Sequence, residues 1–318
     1  METKWLEDFV SLAETHSFSR SAQLRHVTQP AFSRRIQSLE AWAGTDLVDR
    51  SSYPTQLTPA GQILYEQALD ILQHLQNTRS MLRQHSPGAQ DTIEFAVPHT
   101  LAFTFFPSWL SGLREQVGPI KSHLIALNVH DAVLRLMEGS CDLLLAYHHP
   151  SQPIQLDPAR YEMRLLGHEV LAPFSKPDAQ GEPLFRLPGE AGQPLPFLTY
   201  STGAYLGRVV DWVLKQTGQV VHLDKVYETD MSESLKAMAI EGHGMAFLPT
   251  SSVKQALRHG RLVSAAPANG PWLGTLDIRL YRPRGTKLKR AAQQFWDDLG
   301  PASVAVTRLP GDKSADKA

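Results

Sequence analysis

The first 45 residues carry apolar side chains at helical spacing and predict three short helices. The first helix would bury five residues: Trp5, Leu6, Phe9, Leu12 and Ala13. The second would begin near Ser17, and His26-Val27 would form the turn after it. The third would begin at Thr28, whose hydroxyl we expect to cap the first turn, with Pro30 tolerated in that turn. Its buried face follows a 4-3-4 spacing through Phe32, Ile36, Leu39 and Ala43.

After Gly44, a predicted helix cap, the pattern changes to two short extended pieces and then to one long helix. The extended pieces flank Ser51–Thr55 and predict a small wing, and Thr58-Pro59 would start the long helix. A heptad pattern follows, through Leu64, Ala68, Ile71, Leu75, Thr78 and Leu82. We interpret this pattern as a dimer seam, and packing of the helix on its own domain is the alternative.

Beyond the linker-like sequence at residues 85–89, apolar runs alternate with helical patterns. The predicted strands are 92–97, 121–128, 141–147, 165–174, 196–201, 220–228, a piece within 242–249, and 277–281. The predicted helices are 101–113, 130–138, one from Thr202 to near Gly218, 231–240, 251–258 and 288–299. Strands that alternate with helices predict parallel α/β sheets, which bind ligands at the carboxyl ends of their strands.

The third helix presents polar groups on the side away from its apolar face. Gln29 and Ser33 lie toward its N-terminal end, and Arg34 and Gln37 point away from the core. Amide, hydroxyl and guanidinium groups on an exposed helix suit the base edges of the DNA major groove. An ordinary solvated helical hairpin is the alternative interpretation of this pattern.

Charge supports DNA binding locally but not globally. No acid occurs between Thr15 and Leu39, a stretch with four arginines: Arg20, Arg25, Arg34 and Arg35. Such a stripe attracts phosphates. The whole chain has 318 residues and a net charge of −1, so affinity for DNA must come from local patches.

Several classes of protein are disfavoured by what the sequence lacks. The lone Cys141 excludes an intrachain disulfide framework, and no apolar run reaches the length of a membrane span. The acidic start METKWLEDF is unlike a signal peptide, so we expect a cytoplasmic protein without membrane contacts. No GxSxG, HExxH, CxxC or GxxxxGK[ST] motif is present, so we expect no enzyme, no metal site and no cofactor.

Three motifs within about 45 residues resemble one family: VTQPAFSRRIQSLE, DLVDR and LTPAG. They are similar to the winged helix-turn-helix of the LysR-type transcriptional regulators. The resemblance implies that double-stranded DNA is bound by Gln29, Ser33 and Arg34 on the recognition helix, with Arg50 and the wing at the backbone or minor groove. We expect the first three residues to read bases, and Arg35 and Arg50 to hold phosphates. Many members of the family carry a second basic residue in the wing, whereas this wing reads Ser51-Ser52-Tyr53-Pro54-Thr55.

The second half resembles the family's effector domain through GHGMAFLP and GRLV. The implied fold class is a multidomain α+β chain: an N-terminal winged helix-turn-helix, a long linker helix, and a two-subdomain α/β effector domain like a periplasmic binding protein. The corresponding boundaries are 1–62, 58–85, a hinge at 86–91, an effector domain at 92–303 and a disordered tail at 304–318. Subdomain one would comprise about 92–163 and 266–303, and subdomain two about 164–265.

The resemblance also implies which residues line the effector site: His99, Thr100, Ser201, Thr202, Met231 and His243. We expect Thr100, Thr202 and Ser232 at helix starts, where a small carboxylate would be favoured. ETKWLEDF, TQPAFSRRIQ, YSTGAYLGR and MSESLKAMAIEGHGMAFLP are similar to the hypochlorite-responsive branch. That similarity implies oxidation as another input, sensed by Met231, Met238 and Met245. Core packing is the alternative role for these methionines.

We therefore predict a homodimeric or homotetrameric DNA-binding regulator that responds to a small-molecule effector or an oxidant. A solute-binding protein of a transport system is the rival, although it would have no use for the first 85 residues. An architectural DNA-binding protein would leave the two-lobed domain without a role.

Overall fold

The computed structural model describes residues 1–51, 54–84, 91–267, 271–299 and 305–306. The chain forms two compact units, one of Met1–Ser86 with Met137–Ser140 and one of Pro87–Leu136 with Cys141–Ala318. Within the described ranges, no helix combines the length and the apolar character needed to cross a membrane. The predicted hinge at 86–91 lies outside the described residues except for Asp91, and so does most of the predicted tail at 304–318.

The first unit is a helical bundle with a two-stranded wing. Its elements are α1 Thr3–Thr15, α2 Phe18–Leu24, α3 Gln29–Ala43, β1 Val48–Asp49, β2 Gln56–Leu57 and α4 Pro59–Gln84. Strands β1 and β2 are antiparallel, and α1 packs on each of the other three helices. The predicted apolar faces meet in one core that includes Leu6, Phe9, Leu12, Phe32, Ile36 and Leu39. The predicted winged helix-turn-helix is confirmed.

The helix starts follow the predictions in two cases of three. The Ser17 hydroxyl accepts a hydrogen bond from the Arg20 N–H, and the Thr58 hydroxyl accepts one from the Gly61 N–H at 3.0 Å. The expected cap at Thr28 is wrong, because its side chain makes no capping hydrogen bond. Pro30 explains this, since it removes one of the first-turn N–H groups that a capping side chain serves.

The predicted heptad seam on α4 divides into two parts. Ala68 is fully buried in the core, and Leu64 packs against the same core. Farther along, Ile71, Leu75 and Leu82 are 38%, 48% and 69% exposed, and Thr78 is exposed between them. The first half of the pattern thus packs on its own domain, as the alternative interpretation expected. The second half is exposed to solvent. We call Ile71, Leu75, Thr78 and Leu82 the α4 stripe.

The second unit is an α/β domain around one mixed sheet. Its strands are β3 Thr92–Pro98, β4 Lys121–Leu127, β5 Leu143–His148, β6 Tyr161–Ser175, β7 Leu195–Tyr200, β8 Leu223–Thr229, β9 Met245–Pro249, β10 Val263–Ser264, β11 Gly274–Pro283 and β12 Ala305–Val306. Its helices are α5 His99–Thr104, α6 Phe106–Val117, α7 Val129–Met137, α8 Tyr205–Gln216, α9 Ser232–Glu241, α10 Thr250–Arg258 and α11 Arg290–Asp298.

Two long antiparallel strands join two parallel halves of this sheet. The strand order is β4-β3-β5-β11-β6-β9-β7-β8, with β3, β4 and β5 parallel on one side and β7, β8 and β9 parallel on the other. Strand β11 pairs with β5 and β6, and β6 pairs with β9. This is the predicted two-subdomain architecture. The predicted break between residues 163 and 164 falls inside β6, because this strand continues from one half to the other.

Three other predictions need correction. The expected helix 101–113 is two helices that meet at Phe105, and Pro107 lies in the first turn of α6, where a missing N–H costs little. Helix α8 begins at Tyr205 rather than at Thr202. Within the predicted disordered tail, Ala305–Val306 pairs in parallel with β6.

Candidate DNA-binding and effector sites

The core holds α3 in place and leaves its polar side exposed. Phe32, Ile36 and Leu39 are completely buried, whereas Gln29 and Arg34 are exposed and Ser33 is half-buried. The exposed groups lie on the first two turns of α3. This is the arrangement by which a recognition helix presents its N-terminal residues to base edges.

Arg35, predicted to hold a phosphate, is engaged inside the domain. Its Nη1 donates to Asp8 Oδ2 at 3.0 Å, and Arg25 Nε donates to Asp8 Oδ1 at 2.8 Å. Asp8 is fully buried, so these two arginines neutralise a carboxylate that would otherwise be costly to bury. Only part of the predicted basic stripe therefore faces solvent, with Arg20 and Arg34 as its exposed members.

Arg50 ties the wing to α3. Its Nη2 donates to Glu40 Oε2 at 2.6 Å, and its guanidinium lies 6.0 Å from the centre of the Phe18 ring. The other Glu40 oxygen accepts the N–H groups of Leu47 and Val48 at the start of the wing. Ser52 and Tyr53, within the predicted wing turn, lie outside the described residues. Arg50 thus has a structural partner, although it remains exposed.

In the second unit, Thr100 and Ser232 meet at the junction between the two subdomains. Thr100 is in the first turn of α5, Ser232 is the first residue of α9, and their hydroxyl oxygens are 2.9 Å apart. Both side chains are buried, and His99 beside Thr100 is half-buried. The predicted placement of Thr100 and Ser232 at helix starts matches the structure.

Two tyrosines extend this contact into a group of five hydroxyls. Tyr147 lies at the end of β5 close to Thr104, and Tyr200 ends β7 close to Ser232. Thr104 donates to the Thr100 carbonyl at 2.8 Å. We call Thr100, Thr104, Tyr147, Tyr200 and Ser232 the hydroxyl cluster. Burial, above all, raises the pKa of both tyrosines, so they remain protonated donors at neutral pH.

Glu169 on β6 is a buried carboxylate beside this cluster. Its Oε1 accepts from the Thr250 hydroxyl at 2.9 Å and from the N–H groups of Ser251 and Val170 at 3.2 and 3.0 Å. Its Oε2 accepts from the Ser251 hydroxyl. Thr250 begins α10, so the positive end of that helix also stabilises the carboxylate. Glu169 anchors α10 to the strand that joins the two subdomains.

Three other predicted effector residues are more exposed than Thr100 and Ser232. Thr202 is exposed in a turn before α8 and caps no helix. Ser201 is half-buried, and its N–H donates to the Thr229 carbonyl. His243 is exposed just after the C-terminal end of α9, about 15 Å along that helix from Ser232.

The predicted redox methionines differ in exposure. Met231 precedes α9 and is 40% exposed, Met238 is half-buried in α9, and Met245 is fully buried in β9. Met163 on β6, which was not among the predicted redox residues, is 46% exposed. Cys141 is buried, and this burial raises the pKa of its thiol, which makes the reactive thiolate unfavourable.

A second contact joins the subdomains at Tyr205. Its hydroxyl accepts from the His149 N–H at 2.7 Å and donates to the Gln152 carbonyl at 3.0 Å. The His149 ring meets Trp212 edge to face, with ring centres 4.5 Å apart. These contacts hold helix α8 against the loop that follows β5.

Comparison with known families decides what these two units are. Residues 3–62 match the bacterial regulatory helix-turn-helix protein family of the lysR type, and residues 86–302 match the LysR substrate binding domain. The chain belongs to the LysR family. Members of this family are DNA-binding transcriptional regulators, and the helix-turn-helix match disfavours a role in solute transport.

Individual LysR-type relatives span nearly the whole chain. The HTH-type transcriptional regulator YjiE of Escherichia coli is 34% identical, covering 96% of this chain and 97% of YjiE. Vibrio fischeri DarR, solved in complex with DNA, is 31% identical, with a TM-score of 0.56 and coverage of 94% and 98%. Full-length HypT of Salmonella typhimurium, described as a hypochlorite-specific LysR-type transcriptional regulator, is 32% identical, with a TM-score of 0.56 and coverage of 94% and 97%.

The HypT regulatory domain is also known with a bromide ion bound. That structure is 27% identical to this chain, with a TM-score of 0.55, and covers 66% of this chain and 94% of the domain. LysR regulators act as oligomers that bind DNA and an effector, in agreement with the predicted partners.

Sequence reasoning missed Tyr147, Tyr200 and Glu169 in this LysR-type domain. The available signals were weak: each tyrosine ends an apolar strand, and Glu169 is one acid within the run LLGHEVLAPF. Their shared position depends on the meeting of strands that are distant in sequence.

Proposed function

We propose that this LysR-type regulator reads DNA through Gln29, Ser33 and Arg34 on α3. Arg20 supports this contact at the phosphates, and Arg35 and Arg50 act mainly by fixing α3 and the wing. We also propose that it works in the cytoplasm as a dimer or tetramer, without catalytic activity. The observation that carries the DNA-binding proposal is the exposed polar side of α3 above a fully buried apolar face.

Arg34→Ala is expected to weaken specific operator binding by about 1–3 kcal/mol, because a guanidinium that reads a guanine edge contributes about that much. Binding to unrelated DNA should change much less. Fluorescence anisotropy with the protein's own upstream DNA and with a scrambled duplex measures both affinities. The helical circular dichroism of the variant should match that of the wild type.

Arg20→Ala is the matched control, because it removes the same group from an exposed position on α2. This variant should bind both duplexes more weakly, by the same factor. Its affinity should also depend less on salt concentration, because a phosphate contact is lost. If Arg34→Ala behaved in the same uniform way, Arg34 would be a phosphate contact and not a reader of bases.

We further propose that oxidation of Met231 is an input to this regulator. Support comes from the likeness to HypT and from the exposure of Met231 directly before Ser232 at the subdomain junction. Hypochlorous acid would transfer its oxygen to the thioether sulfur, giving the sulfoxide, chloride and a proton. A polar sulfoxide at this place would alter the contact between α9 and α5.

Mild hypochlorite is expected to change operator affinity by about 5–150-fold, the usual range for coupled sites. Methionine sulfoxide reductase should reverse the change, and Met231→Leu should abolish it. Met163→Leu is the control, since Met163 has a similar exposure on β6. Anisotropy before and after oxidation, with mass spectrometry of each methionine, provides the measurement. An unchanged response in Met231→Leu would remove Met231 as the sensor.

A further inference from the structure

Asp8 is a charged side chain buried among the apolar residues of α1. It is completely buried, and its neighbours Phe9 and Val10 are buried as well. Its Oδ1 accepts a hydrogen bond from Arg25 Nε at 2.8 Å, and its Oδ2 accepts one from Arg35 Nη1 at 3.0 Å. Each carboxylate oxygen therefore binds an arginine from another part of the chain.

These two arginines come from the two helices of the helix-turn-helix. Arg25 is the residue directly after α2, and it also pairs with Glu7 on α1. Arg35 lies in the second turn of α3, next to the proposed base reader Arg34. One buried carboxylate on α1 thus holds both the end of α2 and the first half of α3. We call Asp8, Arg25 and Arg35 the Asp8 network.

Stability alone does not account for the Asp8 network. Burying charges costs their hydration, and apolar side chains of similar volume often stabilise a protein as well or better. The apolar contacts of Phe32, Ile36 and Leu39 determine which side of α3 is buried. The hydrophobic effect has no direction, however, whereas charge-assisted hydrogen bonds fix both a distance and an angle. The network therefore adds a directional constraint on α3 that the core does not supply.

We propose that Asp8 is a positioning residue that determines the specificity of DNA reading. It acts through Arg35 and fixes the position and rotation of α3, so that the exposed polar residues of this helix, Arg34 among them, meet their base edges. This rests on the proposed function, in which α3 reads the operator. Binding groups must be held within about 0.5 Å and 10–20° of the productive geometry, so a small rotation of α3 is enough to lose base contacts.

The first test replaces the whole network in the full-length protein by Asp8→Leu with Arg25→Met and Arg35→Met. This triple variant leaves no charge of the network buried, so its thermal midpoint should stay close to that of the wild type. Fluorescence anisotropy measures its affinity for the protein's own upstream DNA and for versions with one substituted base pair. One wrong base pair should weaken wild-type binding by about 5–150-fold, and the triple variant should lose most of this ratio.

Asp8→Asn is the second network variant, because the amide keeps the shape but presents an NH₂ group to one of the two arginines. Measured below its thermal midpoint, it should also lose discrimination between base pairs. Glu7→Gln is the matched control, since it removes the other acid that pairs with Arg25 and leaves both Asp8 bonds in place, so its ratios should equal those of the wild type. Unchanged ratios in both network variants, or failure of both to fold, would indicate a structural role only and overturn the proposal.

Arg34→Ala separates this proposal from the proposed function. Added to the triple variant, it should change the ratios little, because a displaced guanidinium no longer reads its base, and such losses are not additive. Where Arg34→Ala alone loses discrimination, additive losses would overturn the role of Asp8. If Arg34→Ala alone kept full discrimination while the network variants lost it, only the proposed role of Arg34 would fail. If Arg34→Ala lost discrimination and both network variants kept it, only the role of Asp8 would fail.

Discussion

Leu75→Glu is expected to weaken operator binding by about 10²–10⁴-fold, because it places a charge in the middle of the α4 stripe. The stripe repeats at 4-3-4 spacing and leaves Ile71, Leu75 and Leu82 exposed. Exposed apolar side chains in a heptad pattern are typical of a helix that pairs with another helix. Two linked DNA-binding units gain about 10²–10⁴ in affinity over one, and a monomer loses that gain.

Sedimentation velocity of the variant should show a smaller species at concentrations where the wild type is oligomeric. Anisotropy titrations should then show that the variant binds the two halves of the operator independently, each with low affinity. Gln62→Glu is the matched control, since it adds the same charge at an exposed position of α4 about 140° around the helix from Leu75. A wild-type sedimentation profile for Leu75→Glu would place the dimer contact elsewhere.

Glu169→Ala is expected to reduce the stability of the effector domain by about 3 kcal/mol or more. Four hydrogen bonds end on this buried carboxylate, from Thr250, Val170 and two groups of Ser251. Removing it leaves buried donors without an acceptor and a helix N-terminus without its compensating charge, and hydrogen bonds to charged groups contribute about 1.5–3 kcal/mol each.

Thermal and urea unfolding, followed by tryptophan fluorescence, would measure this loss. Glu169→Gln is the informative companion, because the amide keeps the shape and one acceptor oxygen but loses the charge. Its stability should fall between those of the wild type and Glu169→Ala. A Glu169→Ala protein as stable as the wild type would show that water replaces the carboxylate and that Glu169 does not anchor α10.

The regular parts of the fold were predictable because each depends on local information. The apolar spacing of Phe32, Ile36 and Leu39 predicts both the helix and its buried side, since a helix repeats every 3.6 residues. Strand–helix alternation predicts the α/β halves in the same way. The errors lie where a neighbouring residue changes a local preference, as Pro30 does at the Thr28 cap.

The candidate sites were only partly predictable. Arg34 was correctly expected to be exposed, because the buried side of α3 determines which side faces out. Arg35 was expected at a phosphate, but its partner Asp8 lies 27 positions away on another helix, and no local pattern pairs them. His243 was grouped with Met231 by motif, although the length of α9 separates them.

The order of the elements, their buried sides and the two-unit plan were predictable from the residue pattern alone, because periodicity and helix-start chemistry act within a few residues. Tertiary packing determines which half of the α4 heptad is exposed to solvent, because Ala68 is buried in the core and Leu75 is not. Tertiary packing also forms the hydroxyl cluster. Tyr147 and Tyr200 come from strands about 50 residues apart, and the strand order β5-β11-β6-β9-β7 places both strands in one sheet.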